Sequence, residues 1–579
     1  MQRLLSVIGA ESRQFPLYFA GYSIPANLED RTMRHKIVDS DVLVIGGGVS
    51  GLRAAVAAAE KGQLVTLVSK GSCASPEIMG FNAPVMPGDS EELYYEDMGK
   101  SGLGINDNRL ARTLSRHVMG EVAWLESIGV HFNKDENGNY IAIHTLGTKY
   151  PRLIKSGTSS GVTEMNALLK RCNELEIEQY MPVDILGLLK ASGKVSGAYG
   201  VDNKDRVLFF RAKAVVLAMG GCGAIQSFST YPKALIGDGY AMAYEAGATL
   251  VDMEFQQFEP CCFVYPEAIE GKVIATTLLR HGAELLNGEG KEFMADYGLT
   301  RENAQKGSLA RAMETEVRAG RGTPHGGIYY NMTMMDHDML YKDHAIFTKP
   351  AVEVGMDLNR EMPEMMPASH TNLGGVIIDC QGRTEVAGLF ACGEVTGGLH
   401  GANRLGGCAG AETVVFGRLA GESAADYAVS AQLEPAGLFA AECGSVLTEL
   451  EALSARGGDK NLSDIRRVLG QKLHEEMGVL RSGESIARAA QVVGALRDEL
   501  AEVSTDGLKD AAEYIHCRNM LLLAEMQVKA SNTRTESRGV FYRADYPETD
   551  EKNWNKNILI RKNGEKMELS IRDAVISAE

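Results

Sequence analysis

Three glycines near the start of the chain, Gly46, Gly48 and Gly51, have the spacing of a turn that binds the pyrophosphate of a dinucleotide. In such a turn the first glycine permits a tight bend, and the second lets a phosphate approach the backbone. The third lets the next helix pack on the preceding strand, so that the amide groups at the start of the helix face the phosphates. The chemistry that these residues predict is the binding of a dinucleotide.

The elements that position this turn can be recognised on both sides of it. An apolar run over residues 42–45 predicts a buried strand, alanine-rich residues 52–60 predict a helix, and residues 64–68 predict a second strand. This βαβ order makes a glycine-rich turn without a ligand the weaker interpretation. The second strand ends in Ser69-Lys70, where an Asp or Glu usually contacts an adenosine ribose, so the site departs from the simplest nicotinamide pattern.

The composition bounds the class of protein. A chain of 579 residues predicts about 3 to 4 domains. Its apolar content of 45% and charged content of 23% are typical of a soluble globular protein. With 59 Lys and Arg against 76 Asp and Glu, the net charge of −17 argues against nucleic acid as a partner.

The cysteines indicate a reducing compartment and no metal site. The ten cysteines are scattered and form no Cys-x-x-Cys pair, so we expect no zinc or iron–sulfur site held by this chain alone. For the adjacent Cys261 and Cys262, a buried pair is favoured over a reactive one. No segment has the apolar length of a membrane span, and the first residues lack a convincing export signal. We therefore expect a cytoplasmic protein whose membrane contact, if any, is made through a partner.

Several further motifs occur in order along the chain. They are Leu217-Ala-Met-Gly-Gly221, Gly237-Asp-Gly239, Met253-Glu-Phe-Gln-Gln-Phe258, His370-Thr-Asn-Leu-Gly-Gly375, Ala391-Cys-Gly-Glu394, His400-Gly-Ala-Asn-Arg-Leu-Gly-Gly407, Arg534-Thr-Glu-Ser-Arg-Gly539 and Arg543-Ala-Asp-Tyr-Pro547. Together with the dinucleotide turn, these motifs resemble the flavoprotein subunit of the fumarate reductase, succinate dehydrogenase and L-aspartate oxidase family.

The resemblance agrees with the pattern of the chain and implies its fold class. We expect an α/β protein with a Rossmann-like FAD-binding domain that is interrupted by an α+β capping domain and followed by a helical carboxy-terminal domain. Since ligand pockets form at such seams, the substrate is expected between the FAD-binding and capping domains. The predicted bounds are 1–37 for an extended arm, 38–253 and 355–431 for the FAD-binding domain, 254–354 for the capping domain, 432–545 for the helical domain and 546–579 for a tail.

The resemblance also places the cofactor. Carried over position by position, it assigns to FAD the residues Gly46, Gly48, Gly51, Ser69, Lys70, Asp238, Glu394, Ala409 and Gly410. Some members of the family attach FAD through a histidine shortly after the Ser-Lys pair. Here the segment Cys73-Ala-Ser-Pro-Glu77 has no histidine, so we expect FAD to be bound non-covalently.

In the family's substrate pocket, a histidine and an arginine hold one carboxylate, and both survive here as His370 and Arg404. The physical chemistry agrees, because a guanidinium binds a carboxylate through two parallel hydrogen bonds and a histidine adds a donor. The weaker alternatives are an arginine that binds loop carbonyls and a histidine buried in the core.

The other half of the pocket departs from the family. Glu259 stands where relatives have a carboxylate-binding histidine, and two carboxylates a few ångströms apart repel each other. Lys306 stands where relatives have the arginine that delivers a proton; a catalytic acid and an exposed lysine at a helix start are equally favoured. Arg280 and His281 replace part of an Arg-Gly-Glu-Gly motif, and we expect them to contact substrate or relay protons.

These residues predict an oxidoreductase that interconverts a C–C single and double bond beside a carboxylate. Hydride would pass at flavin N5, Arg404 and His370 would stabilise the carboxylate, and Lys306 would transfer the proton. The substrate is expected to have one carboxylate and a neutral or cationic far end. The alternatives are the flavoprotein of an authentic fumarate reductase or succinate dehydrogenase, an oxygen-using enzyme like L-aspartate oxidase, and a non-catalytic electron-transfer flavoprotein. The resemblance further implies that the partner is an iron–sulfur or other electron-transfer subunit.

Overall fold

The computed structural model describes residues 33–575 and 577, apart from residues 146, 158 and 303. Most of the predicted arm, residues 1–32, lies outside the described residues. The first strand begins at His35.

The strands are β1 (His35–Ile45), β2 (Val65–Val68), β3 (Phe81–Asn82), β4 (Ala142–Ile143), β5 (Leu153–Ile154), β6 (Glu178–Tyr180), β7 (Val183–Ala191), β8 (Lys194–Asp202), β9 (Val207–Leu217), β10 (Leu250–Val251), β11 (Gln256–Tyr265), β12 (Glu284–Leu286), β13 (Ile328–Asn331), β14 (Glu364–Asn372), β15 (Gly375–Val376), β16 (Leu389–Ala391), β17 (Lys556–Asn563) and β18 (Lys566–Asp573).

The α-helices are α1 (Val49–Glu60), α2 (Glu91–Ser101), α3 (Asn108–Ser127), α4 (Ser160–Glu174), α5 (Asp238–Ala246), α6 (Lys306–Glu316), α7 (Ala345–Glu353), α8 (Cys408–Ser430), α9 (Ala436–Leu453), α10 (Leu462–Glu476), α11 (Gly483–Ala501) and α12 (Gly507–Thr533).

The predicted βαβ unit forms the centre of a seven-stranded sheet. Its strand order is β6-β2-β1-β9-β8-β7, and β16 pairs with the end of β9. β1 runs parallel to both β2 and β9, with Val44 opposite Leu67 on one side and Val216 on the other. Helices α1 and α8 pack against these strands, and the three residues are completely buried. The carboxyl ends of β1, β2 and β9 therefore meet at the glycine-rich turn.

The inserted domain is built on a second sheet with its own hydrophobic core. Its antiparallel strand order is β11-β14-β13-β12, and helix α6 packs beside it. β14 (Glu364–Asn372) pairs along β11, although the predicted bounds placed this segment in the FAD-binding domain. The sheet of the inserted domain thus extends to Asn372, since the returning chain must complete the sheet before it re-enters the first domain.

The carboxy-terminal part is helical and then returns to the first domain. Helix α12 packs against α9, α10 and α11 as well as α5 of the FAD-binding domain. The tail folds as the hairpin β17-β18, and β17 pairs with β10 in a four-stranded sheet of order β15-β10-β17-β18. The hairpin attaches the end of the chain to the body of the protein.

The Arg534-Thr-Glu-Ser-Arg-Gly539 motif is an internal scaffold. The side chains of Arg534, Glu536 and Arg538 are buried. Arg534 Nε donates to Glu254 Oε1 at 2.7 Å, and both arginines donate to Glu536 Oε1, at 3.0 and 2.8 Å. Removing one partner from such a buried network leaves an uncompensated charge, so the motif fixes the tail against the start of the inserted domain.

Candidate functional site

The dinucleotide turn connects β1 to α1 with little free space. Gly46 has a φ of 126°, and a Cβ added there would lie 2.0 Å from the carbonyl oxygen of Ala218. A Cβ on Gly51 would lie 1.9 Å from the carbonyl oxygen of Gly46, so only glycine lets the helix approach the strand. The Ser75 hydroxyl accepts a hydrogen bond of 2.9 Å from the Val49 amide at the start of α1.

A cavity of about 1250 Å³ extends from this turn to the inserted domain. Gly51 does not line the cavity because it packs against β1, as the turn requires. The other predicted cofactor and substrate residues all line it: Gly46, Gly48, Ser69, Lys70, Asp238, Glu259, Arg280, His281, Lys306, His370, Glu394, Arg404, Ala409 and Gly410.

At the dinucleotide end, charged side chains surround the start of α5. Lys70 Nζ lies 2.8 Å from Asp184 Oδ1 and 3.4 Å from Asp238 Oδ2. Burial acts to lower the pKa of Lys70, but the carboxylates of Asp238 and Asp184 raise it above its ordinary value. The lysine after β2 is thus paired with carboxylates from other elements, one of which is the predicted cofactor ligand Asp238.

Glu394 lines the cavity from the short 3-10 helix Gly393–Val395 that follows β16. Burial raises the pKa of its carboxyl to about 7, although the Tyr231 hydroxyl and the Asn372 amide both donate to it. A Cβ on Gly221 would lie 2.2 Å from Glu394 Oε1, which explains the second glycine after β9. A carboxyl with a pKa near neutrality can both donate and accept hydrogen bonds.

The amino-terminal end of helix α8 also lines the cavity. It begins at Cys408, so the backbone of Ala409 and Gly410 belongs to its first turn. Amide groups in a first helical turn have no partner within the helix and carry partial positive charge. The helix start therefore favours negative charge on a group bound in the cavity.

His370 projects from a bulge in the sheet of the inserted domain. Ser369 pairs with Phe258 and Thr371 pairs with Gln257, so His370 is the extra residue between two consecutive partners on β11. Bulges of this kind redirect a side chain and are frequent beside active sites. The bulge directs His370 into the cavity.

His370 is neutral at physiological pH. Burial, together with the positive charges of Lys306 and Arg404, holds the pKa of its imidazole well below the ordinary value. Its Nδ1 lies 3.0 Å from the Thr230 hydroxyl. When that hydroxyl donates to Nδ1, the other nitrogen, Nε2, carries the proton and becomes a donor.

Arg404 is held on one side and has an unsatisfied donor on the other. Its Nη2 donates to Gln257 Oε1 at 2.9 Å. Its Nε is buried and has no hydrogen-bond partner among the described residues. Because a buried donor without a partner is costly, this nitrogen marks a place where an anionic ligand would be stabilised.

Lys306 and Glu259 form an ion pair at the end of the cavity beside the inserted domain, which is the expected substrate end. Lys306 is the first residue of α6, and its ammonium group donates to Glu259 Oε2. Glu259 lies on β11 with 6% of its side chain exposed, whereas 32% of the Lys306 side chain is exposed. His370 Nε2 lies 3.8 Å from the same carboxylate oxygen. The lysine at the helix start is therefore directed into the site.

Arg280 and His281 lie at the outer edge of the cavity. Both are exposed and end a short 3-10 helix over Thr276–His281. Arg280 Nη2 donates to the carbonyl oxygen of Glu302 at 3.3 Å, and the His281 ring lies 5.8 Å from the ring of His344. The contacts that the structure gives these two residues are with the inserted domain itself.

The backbone of Gly539 and Val540 contacts both the loop that carries Arg404 and helix α6, which begins with Lys306. The Val540 amide donates to the carbonyl oxygen of Ala402 at 2.9 Å. A Cβ on Gly539 would lie 2.1 Å from that oxygen, and a Cβ on Gly307 would lie 3.2 Å from the carbonyl oxygen of Gly539. The carboxy-terminal motif therefore positions both halves of the substrate end.

Several residues of the site had no signal in the sequence. Thr230 and Tyr231 lie in a loop without a recognised motif, and Asp184 lies on a strand that has no chemical pattern of its own. Gln257 belongs to the Met253-Glu-Phe-Gln-Gln-Phe258 motif and precedes Glu259 by two residues. Its place within that motif was the only indication of its role.

Within the part of the chain that the structure describes, no three or more His, Cys, Asp or Glu side chains are grouped so that they could hold a metal ion. None of the described helices is both long and apolar enough to span a membrane.

Comparison with known proteins gives the relatives of the chain. Residues 41–409 match the family described as FAD binding domain, and residues 466–579 match that described as fumarate reductase flavoprotein C-term. One subunit of the fumarate reductase (CoM/CoB) of Methanothermobacter marburgensis is 35% identical over 544 residues, which are 92% of this chain and 98% of the relative.

Other relatives have different functions or known structures. L-aspartate oxidase of Vibrio cholerae is 30% identical over 535 residues, which are 88% of this chain and 96% of the relative. The structure of FrdA of E. coli quinol fumarate reductase superposes with a TM-score of 0.87 at 27% identity and covers 94% of this chain and 98% of that one.

Fold, cavity and relatives define the class of the protein as an FAD-dependent oxidoreductase. The chain belongs to the flavoprotein family of fumarate reductase, succinate dehydrogenase and L-aspartate oxidase. The family, the cofactor FAD and the fold class expected from the sequence are confirmed. The glycine cradle that a Cβ would fill and the start of α8 fit this cofactor.

Proposed function

We propose that this enzyme interconverts a C–C single and double bond beside a carboxylate, on a substrate whose far end is neutral or cationic. Arg404 and His370 hold the carboxylate, and Lys306 transfers the proton. The observation that carries this proposal is the Lys306–Glu259 ion pair beside the unpartnered Nε of Arg404. FAD, when bound, supplies or accepts the hydride.

The carboxylate would be held by one fixed charge and one neutral donor. Gln257 orients the guanidinium of Arg404, which leaves Nε for a ligand. Neutral His370 can donate through Nε2 without adding charge. As charge accumulates on the carboxylate during reduction, the preorganised guanidinium stabilises it.

The proton would move at Lys306 Nζ. The ammonium group is held by Glu259, so its position does not depend on the substrate. Because part of the lysine side chain is exposed, the group can exchange protons with solvent between turnovers. A positioned acid of this kind contributes about 10²- to 10⁴-fold to a rate.

The same ion pair disfavours a second carboxylate. Glu259 and Lys306 neutralise each other, so neither offers a free charge to the far end of a substrate. A second carboxylate would have to displace Lys306 from Glu259, which would leave the buried Glu259 carboxylate facing an anion. A neutral or cationic far end avoids that repulsion.

A series of four-carbon acids tests the proposal. The bound flavin is reduced without oxygen and then mixed with fumarate, fumaramate or trans-4-aminocrotonate, whose far ends are anionic, neutral and cationic. We expect faster reoxidation by the second or third acid than by fumarate. Faster reoxidation by fumarate would overturn the assignment of substrate class.

Two variants at Glu259 separate its charge from its shape. Glu259→His restores the residue that relatives have, and we expect faster reoxidation by fumarate. Glu259→Gln removes the charge but adds no cation, so it serves as the matched control with a smaller gain. If both variants react with fumarate at the wild-type rate, Glu259 does not line the substrate end.

Fumarate reduction is the second candidate, and the names of the relatives favour it. The Methanothermobacter relative and the E. coli structure are both named fumarate reductases. The series above decides between the two candidates, because an authentic fumarate reductase would prefer the dicarboxylate.

We also propose that electrons enter or leave through a partner, which is an iron–sulfur or other electron-transfer subunit. The supporting fact is that the relative with 35% identity is named as one subunit of its enzyme. The L-aspartate oxidase relatives favour direct use of oxygen instead. Co-purification from the native source and oxygen consumption by the isolated chain distinguish the two routes.

A further inference from the structure

A buried charged cluster joins helix α12 to the dinucleotide end of the cavity. His516 on α12 places Nδ1 3.0 Å from Asp238 Oδ1 and Nε2 2.8 Å from Asp184 Oδ2. Asn519, one turn further along, donates to the same Asp238 oxygen at 2.8 Å. Lys70 Nζ completes the cluster, 3.2 Å from His516 Nε2.

The carboxylates of Asp238 and Asp184 favour a proton on both nitrogens of His516. Each nitrogen faces a carboxylate oxygen, and only the imidazolium form has two N–H donors. Burial acts to lower the pKa of His516, but Asp238 and Asp184 raise it to about 9. The cluster therefore contains two cations, Lys70 and His516, and two anions.

The orientation of Asp238 depends on the helical domain. Asp238 is the first residue of α5, and its side chain is 4% exposed. Its Oδ1 accepts hydrogen bonds from both His516 and Asn519, and its Oδ2 faces Lys70. Two of these three contacts come from α12, which is distant from Asp238 in sequence: the His516 contact spans 278 positions.

We propose that His516 and Asn519 are positioning residues that make the helical domain part of the FAD site. They hold Asp238 and Lys70 in place for the dinucleotide, so that FAD binding and the docking of α12 stabilise each other. The inference rests on the proposed assignment of Asp238 and Lys70 to the cofactor.

Charge explains why the histidine matters beyond packing. Without the imidazolium, the cluster would hold one cation, Lys70, against the two carboxylates of Asp184 and Asp238. A net negative charge would then face a cofactor whose pyrophosphate is also negative. Repulsion between partly buried charges is screened weakly, so it would weaken FAD binding directly.

The test is the affinity for FAD, measured without substrate. Deflavinated full-length protein is titrated with FAD, and the quenching of flavin fluorescence gives the Kd. Coupling between two sites typically changes an affinity by about 5- to 150-fold, and we expect an increase of Kd in this range for His516→Gln. Asn519→Ala removes a donor without changing the charge and should raise the Kd less.

The matched control is His474→Gln. His474 is a second, half-buried histidine of the helical domain; its ring lies 5.9 Å from the ring of Phe228, and it does not line the cavity. A purely structural role for His516 would lower the melting temperature in both histidine variants and leave both Kd values unchanged. That result would overturn the inference, as would a His474→Gln variant with equally weakened FAD binding.

Hydrogen exchange provides a second measurement on the same variants. Since coupling is reciprocal, FAD should slow amide exchange in α12 of the wild type, and this protection should be lost in Asn519→Ala and His516→Gln. Equal protection in all three proteins would contradict the inference. If His516→Gln does not fold, Asn519→Ala alone decides, because it keeps every charge. Failure here leaves the substrate proposal intact, since no enoate is used.

Discussion

His370 Nε2 lies 3.8 Å from Glu259 Oε2, the oxygen that also receives the ammonium group of Lys306. The carboxylate of Glu259 thus lies between the neutral imidazole of His370 and the ammonium group of Lys306, which belongs to a different element of the inserted domain. Burial and the nearby cations keep the pKa of His370 well below its ordinary value, so the imidazole stays neutral beside this pair. The charge of the substrate end is therefore concentrated on Arg404.

Replacing Lys306 tests its role as the acid. We expect Lys306→Met to slow reoxidation of reduced flavin by an enoate by about 10²- to 10⁴-fold, because no other group would be positioned to deliver the proton. Lys306→Arg should retain more activity, since it keeps a donor at the start of α6. The measurement is anaerobic stopped-flow absorbance of the flavin.

A second lysine of the inserted domain serves as the control. Lys342 forms an ion pair with Asp338, and 69% of its side chain is exposed. Lys342→Met should react at the wild-type rate. If Lys306→Met does so too, another group delivers the proton and the assignment is wrong.

Replacing Arg404 by Lys tests the bidentate contact. Lysine keeps the positive charge but loses the planar fork and the Nε donor. One lost charge-assisted hydrogen bond costs about 1.5 to 3 kcal/mol, so we expect the Kd of an enoate to rise roughly 10- to 100-fold. Spectral titration of the oxidised flavin measures the Kd. Gln257→Leu, which frees the guanidinium, should weaken binding less; an unchanged Kd in Arg404→Lys would place the carboxylate elsewhere.

FAD should leave the protein when the fold is destroyed. The cavity wall near the dinucleotide turn offers Ser72, Cys73 and Ser75, and burial raises the pKa of the Cys73 thiol. A protonated thiol is a poor nucleophile, so no side chain of this segment is suited to attack the cofactor. Acid precipitation should release all the flavin to the supernatant. Flavin fluorescence on the denatured chain would contradict this, and Cys73→Ser would then show whether that residue carries the link.

The strands and helix around the turn could be predicted because their signals are local. The apolar run at Val42–Ile45 and the spacing of Gly46, Gly48 and Gly51 need no knowledge of distant residues. No strand was predicted over residues 364–372, which the expected bounds included in the FAD-binding domain, whereas the structure pairs β14 with β11. Only the tertiary structure decides which strand this segment pairs with.

The residues of the site also differ in how far they could be predicted from local signals in the sequence. His370 and Arg404 were predicted from motifs and both line the cavity, but the contact between Lys306 and Glu259 joins residues 47 positions apart. The sequence showed that positions 259 and 306 both differ from the family. Only the structure shows that the charges of Glu259 and Lys306 compensate each other. His516 had no motif, because its partners lie on other elements and it has chemical meaning only through Asp184 and Asp238.

The raised pKa of His516 predicts how stability depends on pH. The charged groups that face it are Lys70, Asp184 and Asp238. Although burial and the positive charge of Lys70 act to lower its pKa, Asp238 and Asp184 raise that pKa from 6.5 to about 9. The folded protein then binds one more proton than the unfolded chain between these values, so the stabilisation is complete below pH 6.5 and is lost as the pH rises towards 9.

Urea unfolding of deflavinated protein measures this effect without a contribution from cofactor binding. We expect the difference in unfolding free energy between wild type and His516→Gln to be constant at acidic pH and to shrink above neutrality. His474 provides the opposite sign, since burial lowers its pKa and its stabilisation is lost as the pH falls. If the difference for His516→Gln does not change between neutral and alkaline pH, the imidazole is not protonated in the folded protein, and its two carboxylate contacts have another origin.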